Sequence, residues 1–267
     1  MKITTSAVLA SCLLLGLASE ARADTCDTVR GTDPGVMQSF WCTQPWIDFY
    51  WDAYDFDKGD WDDGFGWEAA CDRRRPLART FQAIQLVNYA SPNEALQTND
   101  FSGNILRWGG NYTIREFDEL NGRCGDGTAR ASTTWGVFID NYTNLYIPFF
   151  YNENVVERAG TLLHEARHAD WCGHSGNDGS NKCPAKSESC DERYTDGCSG
   201  VGSPSGRGAN GYQVLWLWWY AYEADAQHSS STMKAFARDE ANRILNTMFD
   251  VDPCFNITSN GSKIITC

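Results

Sequence analysis

His164 and His168 stand four residues apart in the string His164-Glu165-Ala166-Arg167-His168, and they are two of only four histidines in the 267-residue chain. Residues four apart on a helix lie on one face, one turn from each other. A helix here therefore sets two imidazoles side by side, at a separation that fits two corners of a tetrahedral zinc site. Glu165 falls one position along. Its carboxylate borders the open side of such a metal, where it can accept a proton from activated water but is badly placed to ligate. The spacing assigns two zinc ligands, His164 and His168, and one general base, Glu165.

These groups need a helix, and the strongest helical periodicity in the chain supplies one. Val155, Val156, Ala159, Leu162, Leu163, Ala166 and Ala169 repeat at helical spacing, on the side away from the histidines. Asn152 or Asn154 can cap its start. Upstream, Trp135 to Asp140 reads as a strand, residues 141–143 as a turn, and Leu145 to Phe150 as a second strand. Pro148 makes that second strand an edge strand. A helix is expected from Pro76 to Ala90, with Pro76 at its first position, whereas residues 98–130 read as irregular because of their many Gly and Asn. Two helices close the chain. The first, Tyr212 to His228, is apolar on several sides and so should be buried; the second, Thr232 to Phe249, is amphipathic. Between the histidine helix and these two, residues 172–211 read as a loop pinned through Cys172, Cys183, Cys190 and Cys198. The expected class is α+β: a small sheet whose edge strand packs on the active helix, C-terminal helices, and disulfide-rich loops.

The segment Thr161 to Asp170, with its His-Glu-x-x-His core, resembles the active-site helix of the zincin metallopeptidases. The resemblance covers about 40 residues, counting the strands upstream. It implies a zincin-like fold with the helix across the base of a cleft, and hydrolysis of peptide bonds with zinc as cofactor and a protein or peptide as substrate. The third ligand separates the branches of that superfamily. In the metzincin branch a third His follows six residues after the second, beyond a Gly that turns the chain. His174 stands at that distance, but Trp171 occupies the Gly position. A turn at Cys172-Gly173 is the alternative, provided that Gly173 takes a positive φ. The methionine turn of that branch has Met233 and Met248 as its only candidates, and both sit on a helical pattern. In the gluzincin branch the third ligand is a Glu from a later helix, here Glu223. His174 is the first choice, Glu223 the second, with His228 and Asp225 behind them. Tyr212 and Arg167 are the nearby groups that could stabilise an oxyanion.

The ends and the composition set the context. Lys2, the apolar run Ala7 to Ala18 and Ala21-Arg22-Ala23 read as a secretory leader, residues 1–23. The run is too short to span a bilayer. Of 11 cysteines, Cys12 lies in the leader; the remaining even number in an exported chain argues for disulfides throughout. Residues 24–267 then form the metallopeptidase domain, with 24–75 a possible separate N-terminal segment. The formal charge is −13, and the one basic cluster is Arg73-Arg74-Arg75. Nucleic acid is excluded as a partner on that ground; no membrane partner is expected, and the expectation is a secreted monomer. The acidic run 52–63 fails the calcium-loop spacing, because Gly59 and Gly66 fall where ligands are needed. The rival class is a secreted binding module with a structural zinc, in which the aromatics of residues 41–67 bind glycan or peptide. A closed four-ligand site would mark it.

Overall fold

A computed structural model of the chain describes residues 30–31, 42–97, 104–125, 128–136, 139–174, 208–249, 256–257 and 263–264. The leader, most of the cysteine-rich loop, Cys254 and Cys267 lie outside the described residues. The class is α+β, with seven α-helices and a three-stranded sheet among the described residues.

The histidine helix, α5 (Val155–Ala169), begins at Asn154. The Asn154 side chain accepts from the backbone N–H of Val156 at 3.0 Å and of Glu157 at 3.1 Å, and Glu157 reaches back to the N–H of Asn154 at 3.0 Å. This reciprocal box satisfies orphan donors at the helix start and is worth about 1 kcal/mol. Buried Arg158 fixes the angle of entry, donating to the carbonyl oxygens of Glu153 at 2.6 Å and Phe150 at 3.3 Å. Val156, Ala159, Leu162, Leu163 and Ala166 are fully buried, as the periodicity requires.

Around α5 stand α1 (Gln44–Ala53), α2 (Pro76–Tyr89), α3 (Ile105–Glu116), α4 (Ile147–Tyr151), α6 (Ala209–Tyr222) and α7 (Ser231–Thr247). Helix α2 starts at Pro76 as expected. Helix α6 is buried on nearly every side, between α5 and α7. It ends at Tyr222, before the anticipated His228. Helix α3 lies within the stretch expected to be irregular. Gly109 and Gly110, which read as turn residues, instead permit close packing: a Cβ at Gly110 would meet Asn88 Oδ1 of α2 at 2.5 Å, and one at Gly109 would meet Leu163 of α5 at 3.3 Å. Cross-helix packing has outweighed helix propensity there.

The sheet contains β1 (Leu120–Gly122), β2 (Ala131–Gly136) and β3 (Ile139–Leu145), in the order β1-β3-β2. Strand β3 pairs in parallel with β1 and antiparallel with β2, with Thr133 opposite Thr143. The expected strand 145–150 is corrected: that segment is the short helix α4, with Pro148 in its first turn. Proline has no N–H to lose there. The two aromatics Phe149 and Phe150 are both buried, which one face of a strand could not achieve. The expected strand 135–140 is likewise replaced by the end of β2 and the start of β3. The edges of the sheet are β1 and β2, and β2 packs against α5.

Residues 42–75 feed Tyr50, Tyr54, Trp61 and Phe65 into the same core as α2, α3 and α5. Trp46, Trp51 and Trp67 pack against that core, with Trp51 stacked on Trp67 at 4.5 Å. Cys42 and Cys71 form a disulfide across this stretch, and Cys124 and Cys172 each take part in a disulfide of their own. No described helix is long and apolar enough to cross a membrane.

Candidate metal centre

One turn of α5 separates His164 from His168, and their Nε2 atoms stand 3.1 Å apart. After α5 the chain turns at Trp171, whose φ is +59°. This left-handed conformation is uncommon for a bulky residue. The turn therefore occurs at the position where the resemblance calls for Gly, and the alternative of a positive φ at Gly173 does not hold. It returns His174 to the other two imidazoles, with ring centroids 4.7 Å from His168 and 5.1 Å from His164. One potential ligand atom from each of the three rings lies within 4.8 Å of the others.

The hydrogen bonds of His164 and His168 fix which nitrogen of these two rings faces inward. His168 Nδ1 lies 2.6 Å from the carbonyl oxygen of Cys172. A carbonyl can only accept, so Nδ1 carries the proton and Nε2 presents a lone pair. His164 Nδ1 lies 3.1 Å from Gln213 Oε1, and the same reasoning applies. Two lone pairs 3.1 Å apart cannot bond to each other; they need a cation between them. Burial, with the other two imidazoles beside it, pushes His164 well below the ordinary histidine range. A metal ion fits these nitrogen donors.

Helix α6 supplies the orienting amides. Gln213 holds His164, and one turn earlier the amide of Asn210 lies 3.4 Å from His174 Nδ1. Both are buried. Sequence reasoning missed them, although two amides three residues apart on an otherwise apolar helix are a legible signal. Glu223, the second choice as ligand, is not brought to the site: it caps the far end of α6, with Asn104 Nδ2 at 3.4 Å from its carboxylate. His228 and Asp225 also stand outside the cluster, and no described Asp, Glu or Cys joins the three histidines. Met248 lines the cleft beside them, while Met233 is buried and accepts from the Tyr220 hydroxyl at 3.8 Å.

Glu165 is buried and faces the edge strand. Thr133 Oγ1 of β2 donates to its Oε2 at 2.8 Å, and Thr143 Oγ1 lies 2.7 Å behind Thr133. Since Thr133 has one proton, Thr143 is the donor of the second bond, and a cross-strand relay orients the carboxylate. Burial pushes the Glu165 carboxyl up to about 7, with Thr133 and His174 pulling the other way. Glu165 and His164 share a cleft of about 540 Å³ whose walls include Arg130, Asn210, Gln213 and Arg243. The two groups expected to stabilise an oxyanion lie elsewhere. Buried Arg167 pairs with Asp170 and sits 4.7 Å over the Tyr212 ring, which packs edge-on against Trp108 at 5.7 Å.

No protein-family model matches the chain, and no curated protein or solved structure is significantly similar to it.

Below the cleft, Glu153 is buried, accepts from Thr161 Oγ1 at 2.9 Å and pairs with Arg130 at 2.8 Å. Burial nevertheless dominates and pushes its carboxyl up to about 7. An acid raised on folding stabilises the fold most below its unfolded value and loses that contribution as pH rises toward the folded one. Glu153→Gln keeps the shape and removes the charge. Its stability relative to the wild type is expected to improve by roughly 2–3 kcal/mol between pH 4.5 and pH 8. Urea unfolding of both proteins across that range measures this, and parallel pH profiles would remove Glu153 as the cause.

Proposed function

We propose that the chain is a secreted, zincin-like zinc-dependent peptidase in which His164, His168 and His174 hold the metal and Glu165 is the general base. The observation that carries this reading is the pair of Nε2 lone pairs 3.1 Å apart, each ring having its Nδ1 committed to an oxygen. Three imidazoles with no fourth protein ligand among the described residues favour a site with an open position, the pattern of catalytic rather than structural zinc. The binding-module alternative needs a closed site, and the described tryptophans of its aromatic platform pack against the core.

Zinc bound there supplies a Lewis acid that polarises a carbonyl and brings the pKa of water toward neutrality. The chain's own residues do the rest. Glu165, held by Thr133, takes the proton of the attacking water and delivers it to the leaving nitrogen. The edge of β2 beside the cleft offers unpaired backbone groups along which an extended peptide can lie. Gln213 and the Cys172 carbonyl keep His164 and His168 in the ligating tautomer.

Two measurements test the reading together: metal analysis of the purified protein, expected to give one zinc per chain, and digestion of a mixed peptide library with and without a chelator. A chain that takes up no zinc, or a zinc-loaded chain that cuts nothing in the library, defeats it. Within this scheme Thr133→Val removes the donor that orients Glu165 while preserving shape. Turnover is expected to fall roughly tenfold at unchanged zinc content, from the loss of one hydrogen bond to a charged group. Steady-state kinetics with full turnover in the variant would remove Thr133 from the scheme.

A further inference from the structure

We infer that the cleft beside Glu165 contains a subsite for a substrate carboxylate, built from Arg130 and Arg243. This rests on the peptidase reading above and names the class of substrate it takes.

Both arginines line the cleft that contains His164 and Glu165. Arg130 comes from the loop entering β2 and Arg243 from α7, so sequence separation hides the pair. Glu240 ties them together. It is buried, accepts from Arg130 Nη1 at 2.9 Å, and takes a fork from Arg243 through Nε at 2.6 Å and Nη2 at 2.7 Å. Arg130 uses the same Nη1 for Glu153 at 2.8 Å. Its Nε and Nη2 have no partner among the described residues, nor has Arg243 Nη1. Each arginine side chain keeps 38% of its surface exposed. The pair is thus fixed from below and has donors left over.

Charge points the same way. Arg243 and Arg130 hold the Glu240 carboxyl below its ordinary range, so it stays ionised. Burial makes Glu153 and Glu157 reluctant to ionise. Two guanidinium-bearing side chains thus meet at one side of the cleft, in a protein whose overall charge is −13. Ile244 and Met248 supply the apolar wall beside them. Fixed guanidinium groups with free N–H donors recognise a planar anion with directional bonds. In a peptide, that anion is an Asp or Glu side chain or the C-terminal carboxylate.

The test uses the zinc-loaded protein and matched peptides that differ only by Glu against Gln at one position, or by a free against an amidated C-terminus. At one position the carboxylate is expected to raise kcat/KM by about 10–100-fold, the range for gaining hydrogen bonds to a charged group. Preference within amidated peptides identifies the side chain as the source; preference for the free acid alone identifies the terminus. In the double variant Arg243→Gln with Glu240→Gln, which leaves no new unpaired buried charge, the ratio is expected to drop below about threefold. Arg130→Lys keeps the charge, loses the fork, and should give an intermediate ratio. Cleavage of all peptides with ratios near one at every position overturns the inference and leaves the peptidase reading intact. If nothing is cleaved, calorimetric titration of the same peptides decides. Carboxylate binding at least tenfold tighter than amide binding, lost in the double variant, upholds the subsite without the peptidase; equal binding overturns it.

Discussion

His174→Ala is expected to lose its zinc on dialysis against a weak chelator, while Glu223→Ala keeps one equivalent. His174 lies within 4.8 Å of the other two ligand atoms, whereas Glu223 is bound to Asn104 at the opposite end of α6. Removing a ligand from a three-histidine set should weaken binding by more than the 10–100-fold typical of losing an orienting partner. Gln213→Ala provides that comparison, since it touches only the Nδ1 side of His164. The affinities should fall in the order wild type, Gln213→Ala, His174→Ala. A His174→Ala protein that retains its metal through dialysis would contradict the ligand assignment, and zinc loss from Glu223→Ala would transfer the role to that carboxylate.

Glu165→Gln should keep its zinc and lose hydrolysis by roughly 10²–10⁴-fold or more, the range for a removed general base. Glutamine preserves the shape and can still accept from Thr133, so the fold and the cleft persist. The measurement is kcat on any peptide the wild type cuts, alongside metal content. Full activity at full zinc occupancy would sink the assignment. A fall in both together would mean that Glu165 supports the metal rather than the proton transfer.

Much of α5 could be read from the chain because its instructions are local. An Asn-x-x-Glu box starts it, apolar residues recur on one face, and the histidines share the opposite one. What failed depended on distant partners. Gly109 and Gly110 read as turns because the sequence does not reveal that Asn88 and Leu163 will press against them. Pro148 read as an edge-strand proline because it suits both that role and a helix's first turn, and only the burial of Phe149 and Phe150 chooses between them. At the site, the ligand spacing was legible. Asn210 and Gln213 were not, since their value comes from the way α6 lies against α5. Trp171 shows the converse: its type argues against the left-handed conformation it adopts, and tertiary context overrides it.

That turn carries a kinetic consequence. A residue as large as tryptophan in the left-handed region stores about 1–3 kcal/mol of strain, immediately before a ligand and next to Cys172, whose carbonyl orients His168 and whose sulfur is tied in a disulfide. The imidazoles on α5 are fixed by a helix of 15 residues; His174 is fixed by this turn. An ion bound by all three would keep its third ligand only while residues 170–174 stay folded, with the Cys172 disulfide as the latch. Ion exchange should then keep time with the opening of this short segment, quickening when the latch is reduced, while the equilibrium preference for one metal over another stays with the three nitrogens.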